Sequence, residues 1–191
     1  PRAVVGQPYS YDANATDPAG AADPLRWSLT QSPGGMSVNV NSGVVTWASP
    51  TAGSHDVVLR VIDGDGGADT QSFTLRVLDI DAGGPYTVLE GSSVDLAASC
   101  TVCDRFEWDL EGNGSFETTE QNPTFRGNDG PATPQVTLRV CAGAGTTNCI
   151  TEQPSVTVNN GAPTFVATPR TSATIGQQYV YVAAATDPSG D

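Results

Sequence analysis

Three segments of the chain share one pattern, in which apolar and polar side chains alternate. They read VLRVID at Val58–Asp63, TLRVLD at Thr74–Asp79 and TLRVCA at Thr137–Ala142. Successive side chains of a β-strand point to opposite faces, so the Leu and the Val that follows the Arg share one face, and the Arg points to the other. The pattern predicts strands of antiparallel sheets that bury one face.

The composition is typical of many short strands joined by turns. Of the 191 residues, 21 are Gly and 14 are Pro, and only 15% are charged. The sequence lacks the i, i+3, i+4, i+7 apolar spacing of amphipathic helices, and no apolar run reaches the roughly 20 residues that span a bilayer. We therefore predict an all-β protein without a membrane span.

An internal repeat organises the chain on a longer scale. VGQPYSYDANATDPAG at residues 5–20 returns as IGQQYVYVAAATDPSG at residues 175–190, 170 residues later. Repeats of this kind have to be recognised before the architecture can be interpreted. We interpret the chain as a window of a longer repetitive protein.

Turn-forming residues recur at intervals of about 8–12 residues, which indicates β-sandwiches. We predict two complete domains, at residues 1–79 and 80–160, and the incomplete start of a second copy of the first domain at 161–191. In the first domain the predicted strands lie near Gln7–Thr16, Leu25–Thr30, Ser37–Val40, Val44–Trp47, Ser54–Ile62 and Thr70–Leu78. In the remainder they lie near Tyr86–Leu89, Ser93–Ala98, Arg105–Leu110, Thr124–Arg126, Gln135–Val140, Ser155–Val158 and Gln177–Thr186.

Two family resemblances cover almost the whole chain. Through ATDPAGAADPLRWSL and NSGVVTWASPTAGSHDVVLRVIDGDGGADTQSFTLRV, the first domain resembles the dystroglycan-type, cadherin-like Ig domains of bacterial surface proteins. Through AGGPYTVLEGSSVDLAAS, FEWDLEGNGSFET and VTLRV, the second resembles a PKD domain. The resemblances imply tandem Greek-key, Ig-like sandwiches, but no single function, because such modules occur in adhesins, sheaths and secreted hydrolases alike.

The acidic residues of the first domain suggest a cation site. One loop contains Asp17 and Asp23, another contains Asp63, Asp65 and Asp69, and both loops are expected at the same pole of the sandwich. Loop carboxylates suit Ca²⁺, which takes about 6–8 oxygen ligands, but Asp and Gly also form tight turns without any metal. Further candidate ligands at the predicted domain junctions are Asp79, Asp81 and Asp187.

The second domain contains a loop that approximates the EF-hand calcium motif. DLEGNGSFETTE begins at Asp109 and ends at Glu120, with Glu111 at the third position and Asn113 at the fifth. The motif prefers Asp or Asn at the third position and needs flanking helices, whereas this loop follows a predicted strand. A structural turn is the alternative to a calcium site.

All four cysteines lie in the second domain, which indicates disulfide bonds and an oxidising compartment. We predict the pairs Cys141–Cys149 and Cys100–Cys103, with cross-pairing between the two loops as the alternative. A zinc site is a further alternative, although the seven residues between Cys141 and Cys149 are too many for a zinc knuckle.

Nothing in the sequence indicates catalysis or nucleic-acid binding. The net charge of −13 opposes binding to phosphates, and the one histidine, His55, has no nucleophile motif near it. The side chains of Trp27, Trp47 and Trp108 are expected in the cores, with an exposed carbohydrate platform as the alternative.

The leading hypothesis is therefore a structural or adhesive stalk on the surface of a bacterium, whose partners are neighbouring repeats or copies and whose surface ligand is not indicated. The first alternative is a subunit of an extracellular filament, in which residues 164–191 complete the sandwich of a neighbouring copy. The second alternative is a non-catalytic region of a secreted hydrolase that binds polysaccharide or protein.

Overall fold

The computed structural model describes residues 2–18, 20, 23–143, 145 and 148–188. Its regular elements are β1 (Arg2–Val4), β2 (Tyr9–Asp12), β3 (Arg26–Gln31), β4 (Met36–Val38), β5 (Val44–Trp47), β6 (Gly53–Ile62), β7 (Ala68–Asp81), β8 (Tyr86–Leu89) and β9 (Ser93–Asp95). They continue with β10 (Ser99–Thr101), β11 (Arg105–Asp109), β12 (Thr124–Arg126), β13 (Thr137–Cys141), β14 (Cys149–Glu152), β15 (Val156–Asn159), β16 (Thr164–Phe165) and β17 (Ala185–Thr186). Over the described residues the chain is all-β, and none of them lies in a helix long and apolar enough to cross a membrane.

Contacts divide the chain into two compact units. The first contains Pro1–Asp81, Cys100–Arg105 and Val140–Ile150, and the second contains Ala82–Ser99, Phe106–Arg139 and Thr151–Asp191. The sequence-based boundaries after residues 79 and 160 stay predictions about domain organisation.

Two sheets form the body of the first compact unit. One has the order β1–β7–β6–β3, with β10 also paired to β7, and the other has the order β2–β5–β4. Strands β6 and β7 pair antiparallel from Gly53 opposite Val77 to Ile62 opposite Ala68. Strand β1 joins β7 in parallel, and β3 joins β6 with a register shift between Leu29 and Gln31.

The core of this unit lies between the inner faces of the two sheets. Val57, Leu59, Leu75 and Val77 come from the β6–β7 pair and are at most 1% exposed. The predicted alternation is therefore confirmed in these two strands. The buried cluster also contains Ala3, Tyr9, Ala13, Trp27, Met36, Val45 and Trp47.

The second compact unit is built from shorter pairings. Strand β15 pairs with β8 in parallel, and β12 pairs with β9 antiparallel. A further three-stranded sheet, which is not confined to this unit, has the order β11–β13–β14. Trp108, Leu96, Val136 and Leu138 of this unit are fully buried. The sequence located most of the strands of the chain, but it missed β1, β10, β14 and β16, each of which is two to four residues long.

The predicted strand at Gln177–Thr186 is wrong except at its end. Only Ala185–Thr186 is a strand, and it pairs with Thr164–Phe165. The equivalent segment of the first repeat, β2, pairs along its whole length with β5. Among the described residues of the tail no strand corresponds to β5, so alternation alone does not make residues 177–184 a strand.

Two tyrosines, the buried Tyr9 and the half-buried Tyr86, differ in how their hydroxyl groups are satisfied. The Tyr9 hydroxyl is buried and has no hydrogen-bond partner among the described residues, and burial raises the pKa of Tyr9. The Tyr86 hydroxyl donates to the carbonyl of Ala82 (3.0 Å) and accepts from the amide of Ala97 (2.7 Å). A buried hydroxyl without a partner costs stability, because it gives up its hydrogen bonds to water on folding. A hydroxyl that forms hydrogen bonds to protein groups in their place does not carry this cost.

We therefore expect opposite results from one chemical change at two sites. Tyr9→Phe removes an unsatisfied group and should raise the free energy of unfolding by about 1 kcal/mol, while Tyr86→Phe should lower it by about 1–2 kcal/mol. Urea unfolding of both variants measures the difference. A loss of stability in Tyr9→Phe would contradict the assignment of an unsatisfied hydroxyl.

Candidate functional site

The turn between β6 and β7 is held by its own first carboxylate. Asp63 Oδ1 accepts hydrogen bonds from the amides of Asp65 (3.0 Å) and Gly67 (2.7 Å). The Asp63 amide in turn donates to the carbonyl of Gly67 at 3.0 Å. The sequence DGDGG forms this turn because Asp accepts from amides two to four residues ahead and Gly adapts to the tight backbone.

A second loop brings two more carboxylates to the same place. Asp23 Oδ1 accepts a hydrogen bond from the amide of Gly64 at 2.5 Å, which joins the loop after β2 to the turn after β6. Within the former loop, the carbonyl of Asp17 accepts from the amide of Gly20 at 3.0 Å. A hydrogen bond between the two loops therefore positions Asp23, and a backbone hydrogen bond within its own loop positions Asp17.

The outcome is a cluster of three half-buried carboxylates, which we name the acidic pole. One carboxylate oxygen from each of Asp17, Asp23 and Asp63 lies within 4.8 Å of the others. Asp17 and Asp23 also line an open cleft of about 540 Å³, next to Trp27 and Asn41. A carboxylate has about four acceptor sites, so Asp23 and Asp63 can still bind a cation while they accept amide hydrogen bonds. The donor set of hard oxygens fits Ca²⁺.

Other predicted ligands of the first compact unit lie outside this cluster. Asp65 is exposed, and its amide, not its carboxylate, takes part in the turn. Asp79 and Asp81 lie on exposed positions of β7. Of the residues that the structure describes, the acidic pole is the one group of three potential ligand side chains that converge in this way.

The EF-hand-like loop of the second compact unit uses its leading carboxylate differently. Asp109 is 4% exposed, and its two oxygens accept from the amides of Gly112 (2.7 Å), Asn113 (3.2 Å) and Gly114 (2.8 Å). Glu111 accepts from the side-chain amide of Asn113 at 3.0 Å, and Glu120 is exposed. The carboxylate of Asp109 thus acts as the acceptor that closes a structural turn.

Asp187, the counterpart of Asp17 in the second repeat, is half-buried beside β17. It lies in the second compact unit and does not belong to a converging group of three ligands.

Both predicted disulfide bonds are present, Cys100–Cys103 and Cys141–Cys149. A bidentate ion pair lies beside them, in which the Arg76 guanidinium binds the Asp104 carboxylate at 2.6 and 3.0 Å. Arg76 also donates to the carbonyl of Val102, and Asp104 accepts from the amide of Gly143. Sequence analysis placed Arg76 on the outer face of its strand but gave no signal for this pairing, because its partner is 28 residues away.

The aromatic residues and His55 have structural contacts. The indole N–H of Trp47 donates to the carbonyl of Gly34 (3.1 Å), and that of Trp108 donates to Gln121 (3.2 Å). His55 is 2.8 Å from the carbonyl of Thr51 and packs edge-on against Trp47. All three Trp side chains are buried, so the alternative of an exposed platform made of them is wrong.

Comparison with known proteins agrees with the fold. Residues 1–78 match the family model described as "Putative Ig domain", in agreement with the paired sheets of this part of the chain. No curated protein matches the chain.

Three solved structures illustrate the structural similarity. The chain is 10% identical to Drosophila OTK, extracellular domains 3-5 (TM-score 0.40), covering 83% of this chain and 59% of that one. It is 13% identical to the amphioxus IgVJ-C2 molecule (TM-score 0.35), and the similarity covers 82% of this chain and 99% of that one. It is 16% identical to a "putative alpha-galactosidase" from Bacteroides fragilis (TM-score 0.34), covering 40% of this chain and only 15% of that one.

None of these similarities is close enough to transfer a function. The strand pairing and the family match over residues 1–78 make the fold that of tandem Ig-like β-sandwiches.

The ion pair beside the disulfides should have a measurable pH dependence. The Arg76 guanidinium, helped by the Gly143 amide, lowers the pKa of Asp104 from 3.8 to about 2. Because the folded pKa is the lower one, the pair stabilises the fold above pH 4 and loses this contribution as the pH falls from about 4 to about 2. A carbon-13 NMR titration of the Asp104 carboxyl should have its midpoint near 2.

Arg76→Gln should raise the pKa of Asp104 most of the way back toward 3.8. Arg60→Gln, on the neighbouring strand, should leave the titration of Asp104 unchanged. An ordinary Asp titration in the unmodified protein would contradict the ion pair.

Proposed function

We propose that the chain is a non-catalytic spacer of an extracellular protein, built from Ig-like units in tandem on a bacterial surface. The burial pattern carries this proposal: all three Trp side chains lie in the cores together with the apolar inner faces of β6 and β7, and His55 is engaged with a backbone carbonyl and Trp47. Two disulfide bonds support an oxidising compartment. A protein of this kind acts through length and stiffness, and its partners are the neighbouring repeats.

Short connections between units favour a stiff spacer over a flexible one. LDIDAGG, residues 78–84, and VNNGAP, residues 158–163, are the two segments that join the predicted domains. Flexible linkers are generally longer and rich in Gly and Ser. Two such short segments leave little freedom for independent movement.

Calcium binding at the acidic pole would add to this stiffness. The support is the convergence of Asp17, Asp23 and Asp63 at one end of the sandwich, where three negative charges repel one another in the absence of a counter-charge. Extracellular calcium modules bind with dissociation constants of about 0.1–1 mM, and we expect the acidic pole to lie in this range.

Calcium should therefore stabilise the first compact unit. With a dissociation constant of about 1 mM, 10 mM Ca²⁺ should raise the free energy of unfolding by about 1.4 kcal/mol. Asp23→Asn should remove most of this gain, because Asp23 connects the two loops. Isothermal titration and thermal unfolding of the full chain, with Ca²⁺ and with chelator, measure both effects.

The matched control is Asp129→Asn, an exposed acidic residue outside the acidic pole. It should leave the calcium effect intact. Equal unfolding temperatures in Ca²⁺ and in chelator would contradict calcium binding but not the proposal of a spacer. The spacer proposal itself would be contradicted by small-angle scattering that shows units moving freely.

A specific observation favours the filament as a second candidate. In the repeat at residues 175–190, Val180 and Val182 replace Ser10 and Asp12, which are exposed on β2. The second copy of this strand sequence is therefore apolar on both faces. Val180 and Val182 are 60% and 77% exposed, and such a segment is suited to add a strand to the sheet edge of another copy.

If the tail assembles copies, returning it to the first repeat's sequence should weaken the assembly. The double variant Val180→Ser/Val182→Asp should lower the association constant at least about tenfold, since burying each Val contributes about 1.5–3 kcal/mol. Sedimentation of the full chain over a concentration series measures this. Val40→Asp changes another exposed valine, 49% exposed, and should leave association unchanged. A protein that is monomeric at every concentration contradicts this candidate.

A further inference from the structure

Glu90, at the end of β8, is a buried carboxylate whose two oxygens bind two distant segments. Glu90 is 2% exposed. Its Oε2 accepts from the amide of Gly130 at 2.9 Å, and its Oε1 accepts from the amide of Gly161 at 2.7 Å. A buried carboxylate is costly unless it is hydrogen-bonded, so these two bonds are what allow Glu90 to lie in the interior.

Gly161 is the point at which the chain leaves the second sandwich. Strand β15 ends at Asn159, whose carbonyl accepts from the amide of Glu90 at 2.9 Å. Asn160 then donates from its side chain to the carbonyl of Gly161 at 2.8 Å. The backbone of residues 159–161 is thus bound on consecutive positions, and this determines the direction in which the chain continues.

The chain returns to this point 27 residues later. Strands β16 and β17 pair Thr164 with Thr186 and Phe165 with Ala185, which brings Pro188 back beside the exit. A Cβ atom on Gly161 would lie 2.8 Å from Cγ of Pro188 and 3.2 Å from Oε1 of Glu90. The absence of a side chain at Gly161 is therefore what leaves room for Pro188.

Gly91 provides the second side of the same surface. It has a φ of +73°, which favours glycine, and a Cβ there would overlap the carbonyl group of Pro188. Two glycines and a buried carboxylate with a hydrogen bond to each oxygen thus lie beneath one proline. We name Glu90, Gly91 and Gly161 the proline seat.

The segment on this seat is one that the chain contains twice. Thr186-Asp187-Pro188 repeats Thr16-Asp17-Pro18 within the stretch that the two repeats share. The contact therefore does not involve an arbitrary piece of the tail. It involves a motif that belongs to the start of the Ig-like repeat.

We infer that the proline seat is a docking surface for the Thr-Asp-Pro motif of the following repeat, and that it fixes the junction through hydrogen bonds and packing that need no cation. The partner is chemically defined: a short turn that presents the ring of a proline. This inference goes beyond the proposed function, since the seat holds its motif whether or not the acidic pole binds calcium.

Backbone relaxation of the full nitrogen-15-labelled chain tests the seat. In the unmodified protein, the amides of residues 164–165 and 184–187 should have order parameters near those of β8 and β15, about 0.85, both with Ca²⁺ and with chelator. Gly161→Ala, which places a methyl group against Pro188, should lower the tail values below about 0.6 and leave β8 and β15 unchanged.

Two further variants separate the parts of the seat. Pro188→Gly changes an exposed residue, so the fold should remain intact while the tail loosens as in Gly161→Ala. Glu90→Gln replaces one acceptor oxygen by an NH₂ group, and hydrogen exchange at the Gly130 or Gly161 amide should become at least about tenfold faster.

The matched control is Gly34→Ala, at a glycine whose added Cβ would contact nothing within 4 Å. It should leave the tail ordered. A tail that is already flexible in the unmodified chain, or one that stays ordered in both Gly161→Ala and Pro188→Gly, overturns the inference. Loosening by chelator alone would assign the junction to a cation and also overturn it, while failure of calcium binding at the acidic pole leaves it unaffected.

Discussion

The pairing of β6 with β7 is the constraint on which the first compact unit depends. It joins ten consecutive residue pairs from Gly53 to Ile62, and its inner face consists of side chains that are almost completely buried. Every other strand of that sheet attaches to one of these two strands. The β2–β5–β4 sheet contributes Val45 and Trp47 to the same core. Burial of each such side chain contributes about 1.5–3 kcal/mol, which is enough to fix the register.

Several acidic residues of this protein accept hydrogen bonds from backbone amides. Asp63, Asp109 and Glu90 all direct carboxylate oxygens at amide N–H groups that no strand satisfies. A metal ion and an amide both attract a carboxylate oxygen, so a sequence motif for calcium and one for a tight turn contain the same residues. What separates the acidic pole from the Asp109 loop is that carboxylates from two different loops converge at the pole, whereas Asp109 binds only its own turn.

The repeated sequence shows how far a local pattern depends on its surroundings. Tyr9 is 8% exposed in a strand that pairs with β5, while Tyr179, its counterpart, is 48% exposed and outside any strand. The Tyr179 hydroxyl donates instead to the carbonyl of Arg170. The same alternation of side chains therefore forms a strand only where a neighbouring strand can accept its backbone hydrogen bonds.

Alternation, turn residues and composition, which are local properties of the chain, predicted the all-β class, most of the strands and the burial of the three Trp residues. The Ig-like organisation was implied by a family resemblance, and the disulfide pairs Cys100–Cys103 and Cys141–Cys149 were predicted with cross-pairing and a zinc site as alternatives. Sequence analysis expected two acidic loops at one pole, but only the tertiary structure decided that Asp17, Asp23 and Asp63 are the carboxylates that converge there. It alone decided that Arg76 pairs with Asp104 and that Glu90 supports a seat for Pro188. Each of these contacts joins residues far apart in sequence. The distance between such residues in space depends on the register of the sheets and the conformation of the loops, which no local pattern encodes.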